Sequence, residues 1–445
     1  MSGEHDQDSP SDPHGEGDEA AGTPPPRLRL RSLKVHAFRD VRPGTELTFG
    51  DGFHLILGKN GTGKSTLVEL LAAVSALGFR RPFFSETPFH VEASFVVGEI
   101  ALHAKIRRTF ETDVVLPLGG PTTHEAAEVV IRIEHRDPSL CYWIQARTGK
   151  GLGVFTKDPG NGPATPVHEL AWADDPLDLS LALPLLSAAF VKNADQSALD
   201  DHPAIPTAIA RVFDSPGTAA PFDEALGTLR AMVGGGLAVL LSPKVQSHPW
   251  LPPPLHFEGK GEPISLPLSS HPLLKSMLEQ LGFNDAIAYF GPGASTDSGW
   301  RYSSPSFQFF RGGKPVRRHD QLSFGQQRLF SFAWYLACNP DVAIADELVN
   351  GLHSDWIDWC VDVLRDRQSF LTSQNPILVD TVPFESEEEI KRGIILCESV
   401  HDAEHDTNEL RWRQLDERES ELISRALQQS RLDLLSDLLH ALDLW

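Results

Sequence analysis

The segment Gly58-Lys59-Asn60-Gly61-Thr62-Gly63-Lys64-Ser65 fits the pattern G-x-x-x-x-G-K-[ST]. Glycines at 58, 61 and 63 let the backbone curl so that successive N–H groups face one polyphosphate. Lys64 is placed to reach the outer phosphates, and the Ser65 hydroxyl to take one coordination position on Mg2+. Asn60 and Thr66 complete this phosphate-facing set. The chemistry implied is binding of a nucleoside triphosphate. A second constellation comes much later, where the apolar run Val342-Ala343-Ile344-Ala345 ends in Asp346-Glu347. At the carboxyl end of a central parallel strand, Asp346 would hold Mg2+ through its water shell. Glu347 would orient or activate the attacking water.

Both constellations need a strand before them and a turn into a helix after. Phe53-His54-Leu55-Ile56-Leu57 supplies the strand before the glycines, and Thr66 to Ala76 reads as the helix whose N-terminus adds partial positive charge to the site. Leu28 to Val35 alternates apolar and charged residues, as a strand with one solvated face would. Further β-like stretches at Val91–Val97, Glu99–Arg107, Glu128–His135 and Leu140–Arg147 suggest an antiparallel sheet flanking the nucleotide core. From Gly149 to Gly299 proline and glycine punctuate the pattern, with helical stretches at Pro184–Ala189, Ala204–Phe213, Phe222–Met232 and His271–Gly282. Regular structure returns with the hairpin Ser306–Arg311 and Lys314–Arg318 around Gly312-Gly313.

Composition sets the class. The 445 residues, 41% hydrophobic and 22% charged, fit a soluble chain of more than one lobe. The first residues are acidic and polar, without the apolar run of a signal peptide. The apolar stretch Leu179–Val191 contains Pro184 and is too short to span a bilayer. Four scattered cysteines, none paired as C-x-x-C, fit a reducing cytoplasm and argue against a disulfide framework or a zinc site. A net charge of −22 lowers the expectation of permanent nucleic-acid binding, because phosphate neutralisation supplies most of that affinity.

Leu322-Ser323-Phe324-Gly325-Gln326-Gln327-Arg328 precedes a helix, then Asn339-Pro340-Asp341 and the carboxylate strand. This segment resembles the ABC signature L-S-G-G-Q, with Phe324 in place of the first glycine. Taken with the phosphate loop, the Asp346-Glu347 strand and the opening Leu33 to Arg39, the chain resembles ABC-type ATPase heads of the SMC/RecF/OLD-like group. Such chains are often labelled AAA-family or AAA-15/AAA-21 ATPases. The resemblance covers Leu28–Gly78 and Tyr302–Val379. No heptad-bearing arm is present, and the tail after Cys397 is too short for the nuclease domain of OLD proteins.

The resemblance implies an α/β P-loop NTPase with an ABC-ATPase-like core, a parallel central sheet plus a flanking antiparallel β-sheet, and an inserted, partly helical lobe. The organisation expected is a disordered acidic tail over 1–27, the first half of the core over 28–148 and the lobe over 149–300. The second half follows over 301–400, then an acidic linker with C-terminal helices over 401–445. The resemblance also implies that Ser323, Gly325 and Gln326 face a γ-phosphate bound to a second subunit, and that Arg39 touches phosphates. Leu348 to His353 looks like the D-loop. His353 is either an interface residue or simply a first-turn helix residue. Gln374 stands where the family's switch segment usually has histidine, and it can hydrogen-bond a phosphate oxygen or the lytic water without carrying charge. Gln145 and Gln196 are Q-loop candidates by elimination alone.

Three weaker signals carry less. His401-Asp402-Ala403-Glu404-His405 spells an inverted zincin pattern but reads as a solvated loop. The basic run Arg311, Lys314, Arg317, Arg318, His319 reads as a solvated face, an interface or a nucleic-acid contact. Trp356 and Trp359 read as packing residues. The function expected is ATP binding and Mg2+-dependent hydrolysis by a cytoplasmic, nucleotide-dependent homodimer that drives a protein partner or effector, without a membrane. DNA maintenance or anti-phage defence is the setting the resemblance suggests. The competing expectation is a nucleotide-gated interaction or sensor module with little turnover.

Overall fold

The computed structural model describes residues 27–75, 88–113, 122–136, 141–147, 151–155, 168–170, 239–241, 252, 261–296, 299–302, 305–402, 407–429 and 434–445. The acidic tail before residue 27, the helices expected at 184–189, 204–213 and 222–232, and Gln196 lie outside these residues.

The chain begins with β1 (Leu28–Phe38) and β2 (Thr45–Thr48), an antiparallel pair, followed by β3 (Phe53–Leu57) and helix α1 (Lys64–Ser75). Then come β4 (Phe89–Val97), β5 (Ile100–Asp113), β6 (Thr122–Glu134), β7 (Cys141–Arg147), β8 (Gly151–Phe155) and β9 (His168–Leu170). With β1 and β2 these form an eight-stranded sheet in the order β2-β1-β4-β5-β6-β7-β8-β9, each neighbouring pair antiparallel. Strand β4 alternates buried and partly exposed residues over Phe89–Val97, because one face packs on the core and the other meets solvent.

Next are β10 (Val239–Leu241), β11 (Ile264–Pro267), helix α2 (Pro272–Gln280), β12 (Asp285–Phe290), β13 (Ala294–Thr296) and β14 (Gly299–Tyr302). The hairpin expected around Gly312-Gly313 is present as β15 (Ser306–Arg311) and β16 (Lys314–Arg318). It forms one sheet with β11 and β12, in the order β11-β12-β15-β16. The lobe expected over 149–300 therefore loses both its ends. Strands β8 and β9 extend the flanking sheet past residue 148, and β12, with β11 on its other edge, pairs with β15 beyond residue 300. Strand β8, Gly151-Leu152-Gly153-Val154-Phe155, pairs with β7 close by in sequence, and its glycines mask it as loop, which is why the first boundary moved.

The second half of the core runs through α3 (Phe324–Cys338), β17 (Val342–Ala345), α4 (Ser354–Leu364), β18 (Gln368–Thr372), α5 (Pro376–Thr381), α6 (Glu387–Gly393), β19 (Ile394–Asp402) and β20 (Thr407–Gln414). Helices α7 (Glu417–Gln429) and α8 (Leu435–Ala441) close the chain. The central sheet has the order β17-β18-β3-β19-β20, parallel except for β20. Strands β3, β17 and β18 are buried at every position, the signature of a parallel sheet covered on both faces. Leu55, Ala343, Leu371 and Leu396 pack into one cluster with α3 and α4, while Ile56, Ile344, Phe370 and Ile395 pack into another with α1 and the antiparallel sheet. Both Trp356 and Trp359 pack against the first cluster.

One buried side chain ties the layers together. Gln368 Oε1 accepts from the Leu30 N–H at 2.8 Å, and its Nε2 donates to the carbonyls of Leu30 at 2.7 Å and Gly50 at 2.6 Å. An amide with both ends satisfied by backbone at a sheet junction fixes the register between β1 and β18.

Candidate nucleotide-binding site

The loop between β3 and α1 curls as its glycines require. Gly61 and Gly63 have φ of +81° and +85°, where a side chain would be strained. At Gly58 a Cβ would stand 2.3 Å from the Cys397 carbonyl oxygen, so β19 presses directly on the loop. The Lys64 ammonium is buried under the loop and donates to the carbonyls of Gly58 at 2.8 Å and Lys59 at 3.0 Å. That geometry wraps the backbone around one cation, leaving N–H groups to face outward.

At the carboxyl ends of β17 and β18 the acidic side is assembled. Ser65 Oγ donates to Asp346 Oδ2 at 2.8 Å, joining the start of α1 to the end of β17. Thr372 Oγ1 donates to Asp346 Oδ1 and accepts from the Glu347 N–H at 2.9 Å. Gln374 Nε2 donates to Asn60 Oδ1 at 2.9 Å and to Glu347 Oε1 at 3.0 Å. Glu347 Oε2 is buried without a hydrogen-bond partner, and its backbone is left-handed at φ +52°, an uncommon state for a non-glycine residue. Buried Arg328 holds that conformation from behind: its Nε donates to the Leu348 carbonyl at 3.0 Å and its Nη2 to the Glu347 carbonyl.

These groups line a single cavity of about 540 Å³, formed by Asn60, Gly61, Gly63, Lys64, Ser65, Thr66, Asp346, Glu347 and Gln374. Asp40, Ser399, Asn408 and Leu410 complete its wall. The hard oxygen donors of Ser65 and Asp346, 2.8 Å apart beside the loop, are of the kind that would hold Mg2+.

Not every expected residue lines that cavity. Gly58 is not among its lining residues and packs against the Cys397 carbonyl instead. Arg39, expected against phosphates, pairs with Glu69 at 2.8 Å and sits over the Phe38 ring, and its neighbour Asp40 takes the place in the wall. Gln145 donates to Glu128 at 2.7 Å on the solvent face of the antiparallel sheet, away from the cavity. Ser323 caps α3 from an exposed position. Its hydroxyl accepts from the Gln326 N–H at 3.3 Å, and Gln326 Oε1 accepts from the Ser323 N–H at 3.0 Å and from Arg317 Nη1 at 3.2 Å. Gly325 is needed for packing: a Cβ there would stand 2.7 Å from the Gly351 carbonyl oxygen. Phe324, 55% exposed, projects beside them. His353 caps α4, accepting from the Asp355 N–H at 3.4 Å.

Sequence reasoning missed Thr372, Arg328 and the β20 wall. Thr372 ends a strand beside the carboxylates, and a hydroxyl at that place was the available signal. Asn408 and Leu410 gave none, since only the crossing of β20 over the loop brings them near.

One family model and several solved structures match this chain. The model of the AAA domain family matches residues 32–140. The chain has the α/β fold of a P-loop NTPase core, and residues 32–140 within it are similar to an AAA domain. Solved SMC heads are similar to it. One is the SMC head domain from Thermotoga maritima, at 12% identity and TM-score 0.33, covering 87% of this chain and 99% of that one. Another is an SmcHead bound to the C-winged helix domain of ScpA, at 11% and 0.29, covering 87% and 98%. A third is an Smc head domain with an extended coiled coil bound to the C-terminal domain of ScpA derived from Pyrococcus furiosus, at 11% and 0.31, covering 90% and 100%. These overall superpositions are loose, so the fold assignment stands on strand order, loop geometry and the family match. No curated protein matches the chain. No helix among the described residues is long and apolar enough to cross a membrane.

Proposed function

We propose that this P-loop NTPase core binds ATP with Mg2+ and hydrolyses it, and that two copies close head to tail over two nucleotides. Lys64 and the loop N–H groups hold the phosphates. Ser65 and Asp346 hold the metal, which supplies charge neutralisation at the transferred phosphoryl group. Glu347 accepts the proton of the attacking water, and Gln374 positions that water beside it. The observation that carries this reading is Glu347 Oε2, a buried acceptor without a partner at the mouth of a phosphate loop. A left-handed backbone held by Arg328 keeps it there. Such a group is poised to take a hydrogen bond that a bound water would supply.

The second copy enters through Ser323. Its hydroxyl and the α3 N-terminus are exposed and lie outside their own chain's cavity, so an anion on a neighbouring copy is the partner they suit. Closure on ATP and opening on hydrolysis would move a protein partner. The test is phosphate release together with sizing of Glu347→Gln in ATP. The reading requires release to collapse while ATP-dependent dimers accumulate; monomers in every condition would remove the dimer from it. A second reading, a nucleotide-gated sensor with little turnover, is favoured by Gln374, whose amide bridges Asn60 and Glu347 without carrying charge. Phosphate release near zero with and without DNA or partner would select it.

A further inference from the structure

Away from the nucleotide cavity, on the solvent face of the antiparallel sheet, three metal-ligating side chains converge. The β1–β4 ladder slips between Val35 and Ala37, where Val35 opposes Val91 but Ala37 opposes His90. This β-bulge leaves both His36 and Ala37 opposite His90. The His36 ring lies over the His90 ring, with centroids 4.3 Å apart and planes inclined by 21°. Glu92, two residues along β4, points to the same face. His36 Nε2 is 3.3 Å from Glu92 Oε1. His90 Nε2 is a buried atom without a hydrogen-bond partner, and buried His36 Nε2 has only the Glu92 carboxylate beside it. A buried imidazole nitrogen left unpaired, as at His90, is costly unless something else satisfies it.

We infer that His36, His90 and Glu92 form a binding site for one divalent transition-metal ion of the zinc class. The donor set of two imidazoles and a carboxylate suits such an ion rather than Mg2+ or Ca2+. Bonds of 2.0–2.2 Å at tetrahedral angles put ligand atoms about 3.4 Å apart. The His36–Glu92 edge already has 3.3 Å, and all three ligand atoms lie within 4.8 Å of one another, close enough to converge on one ion by side-chain rotation. The side chains of His36 and Glu92 are 31% and 42% exposed, which leaves room for water as the fourth ligand. The opposing feature is Lys105, whose Nζ also stands 3.3 Å from Glu92 Oε1 and competes with an incoming cation. This competition makes the inference testable in both directions.

The experiment titrates the full chain with Co2+ in excess Mg2+, reading the visible ligand-field spectrum and the metal-dependent rise in melting temperature. The unaltered chain should take up Co2+ with a tetrahedral spectrum that Zn2+ abolishes. His36→Gln, His90→Gln and Glu92→Gln should each weaken binding at least about tenfold, a loss that even outer-shell changes produce. Lys105→Met, at an exposed head with all three ligands intact, should tighten it. Circular dichroism without metal confirms that the variants are folded. No uptake by the unaltered chain, uptake unchanged in both histidine variants, or Lys105→Met without a gain would each overturn the assignment.

Discussion

The phosphate-loop end of this molecule and the Ser323 end are built on different plans. At the loop, six residues satisfy one another within a single chain: Ser65 reaches Asp346, Thr372 bridges Asp346 and Glu347, and Gln374 bridges Glu347 and Asn60. At Ser323 the hydrogen bonds are local, between a cap and its own first turn, and the neighbouring Phe324 is left 55% exposed. The difference teaches that the loop's polar groups are satisfied inside one chain, whereas Ser323 and Phe324 lie on an exposed surface, which under the proposed dimer would meet a second copy.

The largest effect should separate chemistry from capture. Glu347→Gln keeps the size and the acceptor toward Gln374 but removes the base, so phosphate release should fall by about 10²–10⁴-fold with nucleotide binding retained. A loss of both together, measured by release and by equilibrium binding, would mean that Glu347 holds the loop rather than the water.

The next two act on the layers behind the loop. Gln368→Leu strands the Leu30 N–H and the carbonyls of Leu30 and Gly50 in the interior, so denaturant unfolding should report a loss of about 4 kcal/mol. A cost below about 1 kcal/mol would show that water replaces the amide. His54, stacked on Phe370 and accepting from the Gly50 N–H, is pushed down to about 4 by burial, against an ordinary 6.5. Between those values the unfolded chain binds a proton that the folded chain refuses. Its contribution to stability is therefore complete above pH 6.5 and is lost as pH falls toward 4, by about 3 kcal/mol. His54→Gln should flatten that part of the stability–pH curve relative to the unaltered chain. Parallel curves would place the acid sensitivity on carboxylates instead.

The smallest effect sharpens the other side of the comparison. Ser323→Ala removes one helix cap and should cost about 1 kcal/mol of stability, with nucleotide binding to the single chain unchanged. Under the proposed dimer it should also lower turnover by more than that cost explains. Turnover equal to that of the unaltered chain would reduce Ser323 to a cap.

Much of the fold was legible because two patterns are local. Alternation in Leu28–Val35 and Val91–Val97 marked half-solvated strands, and the unbroken runs Phe53–Leu57 and Val342–Ala345 marked strands covered on both faces. The loop, the carboxylate pair and the capped start of α3 could be read from residue type and spacing. The end of the flanking sheet at β9 and the joining of β11 and β12 to β15 could not, since β8, β9 and β11 are only five, three and four residues long and carry too little pattern of their own. Arg39 and Gln145 show the same limit on a smaller scale. Their types suited phosphate or a lytic water, and their places in the fold gave them Glu69 and Glu128 instead.

What the chain alone determined is its chemical inventory: a glycine loop with Lys64 and Ser65, a strand ending in Asp346 and Glu347, and Ser323 before a helix. Backbone freedom, capping and hydrophobic period act within a few residues, so they are written where they act. Only the tertiary structure decided that Thr372 would join the two carboxylates, that Arg328 would hold Glu347 left-handed, and that a one-residue slip would set His36 over His90. Those outcomes depend on which strands lie side by side and in what register, and that choice is made by packing the whole core at once.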